Sequence, residues 1–164
     1  DGNSASTRPL GPSPLPMDRA RTPFLITVSE GAFPSSAFLR SLLIHEVNHV
    51  LLCKDPRFAD LERPSPPGES HPSQPPPDRY SLFFNLRYGR TPQYQYRLLH
   101  EYYAFTAQLL ADDAVPPASA HRLSPADRRQ IERLQAWAYG ELSDRNRAFV
   151  EAHPAPPIAA YLHQ

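Results

Sequence analysis

Proline is the residue that most limits what this chain can fold into. The 164 residues include 21 prolines, and a proline inside a helix removes a backbone hydrogen bond and clashes with the preceding turn. Long helices are therefore confined to the intervals between prolines. The main interval predicts a helix from Ala37 to about Lys54, with Ser35 or Ser36 as its N-cap and Pro56 just beyond its end.

Two later intervals also predict helices. One helix is expected from Gln93 to about Asp112, because Pro92 suits the first helical position. A start signal at Ser124 precedes an apolar spacing typical of another helix. Gly140 is a potential break that would divide this last helix into two.

The remaining segments predict the domain layout. Residues 1–22 are rich in Ser, Pro and Gly and are expected to be a flexible N-terminal segment. Residues 56–78 contain eight prolines and are expected to form a flexible excursion or a functional flap. The segment from Pro23 to Ser29 predicts a strand, and Tyr80 to Tyr88 fits either a strand or a helical turn. We therefore predict one mostly helical (α+β) domain over 23–164, with two or three short strands.

Composition excludes several classes of protein. Lys plus Arg and Asp plus Glu each number 17, so nothing in the net charge favours nucleic acid or an anionic membrane as partner. No apolar run exceeds the five residues Ile158 to Leu162, which is too short for a membrane span. One cysteine excludes an internal disulfide framework. The chain begins at Asp1 without a leader, so we expect a processed, trimmed or partial chain, with export favoured over the cytoplasm.

The most informative motif is His45 to His49, an H-E-x-x-H sequence inside the predicted main helix. Spacing four places both imidazoles on one helical face, where they can share a metal ion. Glu46 lies about 100° round the helix, so its carboxylate can reach a metal-bound water without ligating the metal. Each polar group buried without a partner would cost on the order of a few kcal/mol. The motif therefore predicts one zinc ion per chain.

A catalytic zinc site needs a third protein ligand and an open position. We expect that ligand to be Glu101 on the second helix, because Ala104 one turn later lets the two helices approach closely. His100 is the alternative ligand. If Glu101 binds zinc, His100 should turn toward solvent or a neighbouring side chain, while Arg97 and Gln108 could orient the Glu101 carboxylate.

With these residues the chain resembles zincin metallopeptidases of the gluzincin arrangement. The segment from Glu101 to Leu110 is also similar to the E-x-x-A…A-x-x-L-L helix of ImmA/IrrE-type zincins. The resemblance covers Ala37 to Leu110 and departs from many gluzincins at Phe105, where they have an aspartate. It implies a zinc-dependent hydrolase that acts on peptide or amide bonds, with a peptide or protein substrate and Glu46 as general base.

Hydrolysis also calls for a donor that stabilises the oxyanion. Tyr88 is our choice, because it lies in the segment that follows the proline-rich excursion. The other candidates are Tyr80, Tyr94, Tyr96, Tyr102, Tyr103, His121 and Arg90.

Two other functions remain open on the sequence alone. The first alternative is a zincin-derived binding or regulatory domain that has lost turnover. In such a domain the zinc ion would be structural or absent. A weaker one is a protein-interaction module that uses the proline-rich segment. The intact Glu46 favours the enzyme, because a purely structural metal site has no use for a general base.

Overall fold

Six α-helices, one 3₁₀ helix and a two-stranded sheet form the described part of the chain. The structure is a computed structural model, and it describes residues 5–10, 23–29, 35–59, 61, 79–89, 91 and 93–162. In chain order the elements are β1 (Ala5–Pro9), β2 (Phe24–Val28), α1 (Ser36–Lys54), α2 (Pro56–Ala59), α3 (Arg79–Tyr88), α4 (Tyr94–Asp113), α5 (Pro125–Gly140), α6 (Asp144–Ala152) and the 3₁₀ helix Pro157–Tyr161. The predicted class, mostly helical α+β, is confirmed.

Helix α1 forms where the proline spacing predicts it. The Ser35 hydroxyl caps the first turn by accepting a hydrogen bond from the backbone N–H of Phe38 at 3.0 Å, which satisfies one of the free donors of a helix start. The helix ends at Lys54, because Asp55 is extended before Pro56. Pro56 then opens the single turn α2.

Helix α1 carries apolar residues on nearly every face, a pattern that predicts burial on most faces, but the observed burial is different. The side chains of Leu43 and Val47 are 38% and 37% exposed. The buried positions instead include polar residues, namely Ser41, His45, Glu46 and Asn48. Since α1 is apolar nearly all round, apolar residues alone could not fix which face turns inward.

Helix α4 is the centre of the core. It packs against both α1 and α5, and its Leu98, Leu99, Tyr103 and Ala104 are completely buried. Burial of each large apolar side chain is worth roughly 1.5–3 kcal/mol. The core therefore holds α4 firmly enough to fix the side chains that face α1.

The helices after α4 follow their sequence signals. Ser124 caps α5 through the backbone N–H of Asp127, with Pro125 at the first position. The predicted break at Gly140 is confirmed, because α5 ends there and Ser143 caps the separate helix α6.

The N-terminal segment contains a correction. The strand predicted between Pro23 and Ser29 is present as β2, but it pairs antiparallel with β1, so residues 5–9 of the segment expected to be flexible are regular structure. Thr7 lies opposite Ile26, and β1 also contacts α1. Pairing with a distant strand supplies the order that composition alone does not predict. Residues 1–4 and 11–22 lie outside the described residues.

Two further predictions concern residues 56–91. The segment that fitted either a strand or a helical turn is the helix α3. The proline-rich excursion predicted over residues 56–78 does not begin at Pro56, because residues 56–59 form the helix α2 and Phe58 is buried in the core. Residues 60 and 62–78 lie outside the described residues, as do Arg90 and Pro92. In the part of the chain that is described, no helix combines the length and the apolar character required to cross a bilayer.

Candidate metal centre

The packing of α1 against α4 brings the three predicted ligands together. His45 and His49 share one face of α1, and Glu101 faces them from α4. His45 Nε2 lies 3.3 Å from Glu101 Oε2, and His49 Nε2 lies 3.6 Å from Glu101 Oε1. One ligand atom from each residue falls within 4.8 Å of the others, and no other group of three such residues is this close among the described residues.

The donor set is of the kind that zinc prefers. Two imidazole nitrogens and one carboxylate oxygen form a three-ligand set that leaves a position open for water or substrate. The side chains of His45, His49 and Glu101 are only 9%, 16% and 15% exposed. Such burial of ionisable groups is costly unless they are paired or bound to an ion, so the residues present fit a metal ion.

A second set of contacts fixes the imidazole of His45. Its Nδ1 lies 3.0 Å from Gln108 Oε1, and Gln108 Nε2 donates to Ser41 Oγ at 2.8 Å. Because the amide nitrogen is engaged by Ser41, the amide oxygen accepts from Nδ1–H, so Nε2 is the nitrogen that faces Glu101 and that can bind a metal once it is deprotonated. Gln108 thus orients His45 and not, as predicted, Glu101. Ser41 was not among the sequence candidates.

Glu101 is held by a residue of α3. The hydroxyl of Tyr80 donates to Glu101 Oε2 at 2.5 Å. Burial alone would raise the pKa of Glu101, but the two histidines and the Tyr80 hydrogen bond lower it to about 2. Burial and the neighbouring Glu101 raise the pKa of Tyr80 well above its usual value. At neutral pH a neutral phenol therefore donates to an ionised carboxylate.

The two histidines have opposite protonation preferences. Burial lowers the pKa of both. In His45 the contacts with Glu101 outweigh burial, so its pKa is raised. In His49 burial outweighs the opposite effect of Glu101, and the charges of His45 and Arg97 add to burial, so the pKa of His49 falls to about 4. Without a metal, burial thus favours the neutral form of His49 at neutral pH, whereas the contact with Glu101 favours the charged form of His45.

His100, the alternative third ligand, lies beside the centre. Its ring is parallel to that of His49 within 13°, with centroids 5.7 Å apart. It also packs on Tyr96 and Phe58 and is only 2% exposed. Of the two orientations expected for His100, toward solvent or toward a neighbouring side chain, the structure has the second. Ala104 is fully buried, in keeping with the close helix approach expected at that position.

Glu46, the predicted general base, is 5% exposed and lies next to the cluster. Burial raises the pKa of its carboxyl, and His45 and a hydrogen bond from Thr7 counteract this effect. The Thr7 hydroxyl donates to Glu46 Oε2 at 2.6 Å. Thr7 comes from β1, in the segment expected to be flexible, so no sequence signal connected it with the motif.

Tyr88, the predicted oxyanion donor, contacts side chains other than those of the three candidate ligands. Its ring packs on Phe84 and lies near the guanidinium groups of Arg87 and Arg97. Within the described residues, no hydrogen bond joins it to Glu46 or to the three candidate ligands, so its role as oxyanion donor stays a prediction. Among the other candidates, the hydroxyl of Tyr103 donates to the backbone oxygen of His153, away from the cluster.

Comparisons with protein-family models, with curated proteins and with solved structures return no significant match to this chain. The zincin resemblance therefore remains a prediction based on the H-E-x-x-H motif.

Proposed function

We propose that this chain is a zinc-dependent hydrolase of peptide or amide bonds. His45, His49 and Glu101 would hold one zinc ion, and Glu46 would act as general base. The observation that carries the proposal is the convergence of both motif histidines on one partly buried carboxylate from another helix. A structural helix contact would not need to bring these three groups together.

Each residue has a role that its contacts support. Zinc, when bound, would supply a Lewis acid for the scissile carbonyl and a water of lowered pKa. His45 is held for ligation by Gln108, and Glu101 is held by Tyr80. Glu46 accepts the proton of the attacking water and later donates it to the leaving nitrogen.

The test uses purified protein loaded with zinc and a library of quenched fluorescent peptides. Glu46→Gln should bind zinc as the wild type does and lose about 10²- to 10⁴-fold in kcat, because an amide cannot take the water proton. His45→Ala should lose both zinc and hydrolysis. The matched control is Glu151→Gln, the same substitution at an exposed glutamate of α6, which should change neither.

Two results would contradict the proposal. If Glu46→Gln cleaves peptides as fast as the wild type, Glu46 is not the base. If the wild type binds zinc but cleaves no peptide, the binding or regulatory alternative is favoured.

A further inference from the structure

The contact between Thr7 and Glu46 joins two segments that are 39 positions apart. Thr7 Oγ1 lies 2.6 Å from Glu46 Oε2 and 3.3 Å from the backbone oxygen of the same residue. A hydroxyl carries one hydrogen, so it donates to one of these acceptors at a time. The shorter contact is to the charged group, which forms the stronger hydrogen bond.

The two carboxylate oxygens of Glu46 are in different situations. Oε2 accepts from Thr7, whereas no hydrogen bond to Oε1 is found among the described residues. Oε1 is therefore the oxygen left to accept a proton from a water. Because the last torsion of a glutamate side chain is soft, the direction of Oε1 depends on what holds Oε2.

The strand that carries Thr7 is suited to hold it in place. Thr7 is half-buried, lies opposite Ile26 in the β1–β2 pair, and belongs to a strand that contacts α1. A group on a paired strand is placed more precisely than one on a loop. Thr7 is thus fixed from β2 as well as from α1.

We infer that Thr7 is a positioning residue of the hydrolytic site, and that it directs Oε1 of Glu46 by holding Oε2. This inference rests on the proposed function. It makes β1 part of the working site, although the residues of β1 lie far from the motif in sequence. The inferred role is to orient the base, with zinc binding left to α1 and α4.

Three variants separate orientation from other effects. Thr7→Val removes the hydroxyl at nearly constant shape, and Thr7→Ser keeps it. Thr27→Val makes the same chemical change at an exposed position of β2 and is the matched control. Each is loaded with zinc and assayed for kcat and KM on the best-cleaved peptide of the library, and its zinc content is measured.

We expect Thr7→Val to lose about 10- to 100-fold in kcat, the loss typical of a misplaced reacting group, with KM and zinc content unchanged. Thr7→Ser should recover most of the rate, and Thr27→Val should match the wild type. Equal kcat in Thr7→Val and wild type, with Glu46→Gln inactive, would overturn the inference and leave the proposed function intact. A zinc-loaded wild type without hydrolysis would overturn both.

A readout other than activity comes from crystal structures of the zinc-loaded wild type and Thr7→Val. The Glu46 carboxylate should have one orientation in the wild type and a shifted or divided one in Thr7→Val. The same single orientation in both would contradict the positioning role whatever the rates are.

Discussion

Helix α4 has two interfaces whose polar contacts are arranged in different ways. Toward α5, groups of opposite charge or complementary polarity meet: Arg128 contacts Asp112 at 2.7 Å and Asp113 at 2.8 Å, and Gln135 donates to Thr106 at 2.9 Å. Toward α1, two imidazoles converge on one carboxylate. Pairs of opposite charge satisfy each other, whereas two nitrogens and a carboxylate in this arrangement have the composition of an ion's ligand set. We therefore propose that the α4–α5 contacts stabilise the fold and that the α1–α4 contacts bind the metal ion.

The largest expected effect is a loss of zinc binding that follows substitution at the α1–α4 interface but not at the α4–α5 interface. His49→Ala should abolish stoichiometric zinc binding, because two remaining ligands do not hold a catalytic zinc ion. Arg128→Ala at the α4–α5 interface should keep full zinc content while lowering the melting temperature, since it leaves Asp112 buried without that partner. Metal analysis and thermal unfolding of both variants check the prediction. Loss of zinc in Arg128→Ala would contradict the separation of roles.

The next effect concerns the identity of the third ligand. Glu101→Ala should lose most of its zinc affinity, whereas His100→Ala should bind zinc with at most a modest loss, because its ring packs beside His49 without belonging to the convergent group. Titration of both variants with zinc decides between them. Normal binding by Glu101→Ala together with loss in His100→Ala would move the site to three histidines.

A smaller effect is expected from the residue behind His45. Gln108→Ala removes the acceptor for Nδ1 and should weaken zinc binding by about 10- to 100-fold, the usual cost of losing such a contact. Gln135→Ala makes the same substitution at the α4–α5 interface and should leave the zinc affinity unchanged. Competition with a fluorescent zinc chelator measures both. Equal affinities would show that Gln108 does not orient the ligand.

The smallest effect is a dependence of zinc affinity on pH. Zinc displaces the proton of His45, so affinity rises with pH up to the raised pKa of His45 and then levels off. His49, with a pKa of about 4, adds to the dependence only in more acidic solution. Calorimetry at pH about 6.5 in buffers of different ionisation enthalpy should therefore record a release of protons when zinc binds. Release of none would show that His45 is already neutral there.

Part of this site was predictable because it is local. Spacing four fixes His45 and His49 on one face of any helix, and Ala104 points to the helix that can approach them. The contacts that complete the site are not local. Gln108 meets Ser41 across 67 positions and Thr7 meets Glu46 across 39, and no window of sequence contains such pairs.

Contacts between residues far apart in sequence also explain why two predictions about the fold were wrong. Composition predicts a flexible segment over residues 1–22, but it does not predict the pairing with β2 that orders Ala5–Pro9. An apolar pattern all round α1 predicts burial without a direction. Packing of the polar motif against α4 gives that direction and leaves Leu43 and Val47 exposed.

The central claim is that α1 and α4 together hold one zinc ion. The most direct test is metal analysis of the protein after zinc addition and dialysis, combined with anomalous scattering on both sides of the zinc edge from its crystals. We predict one zinc per chain and one anomalous peak between His45, His49 and Glu101. Absence of stoichiometric zinc, or a peak anywhere else, would contradict the account.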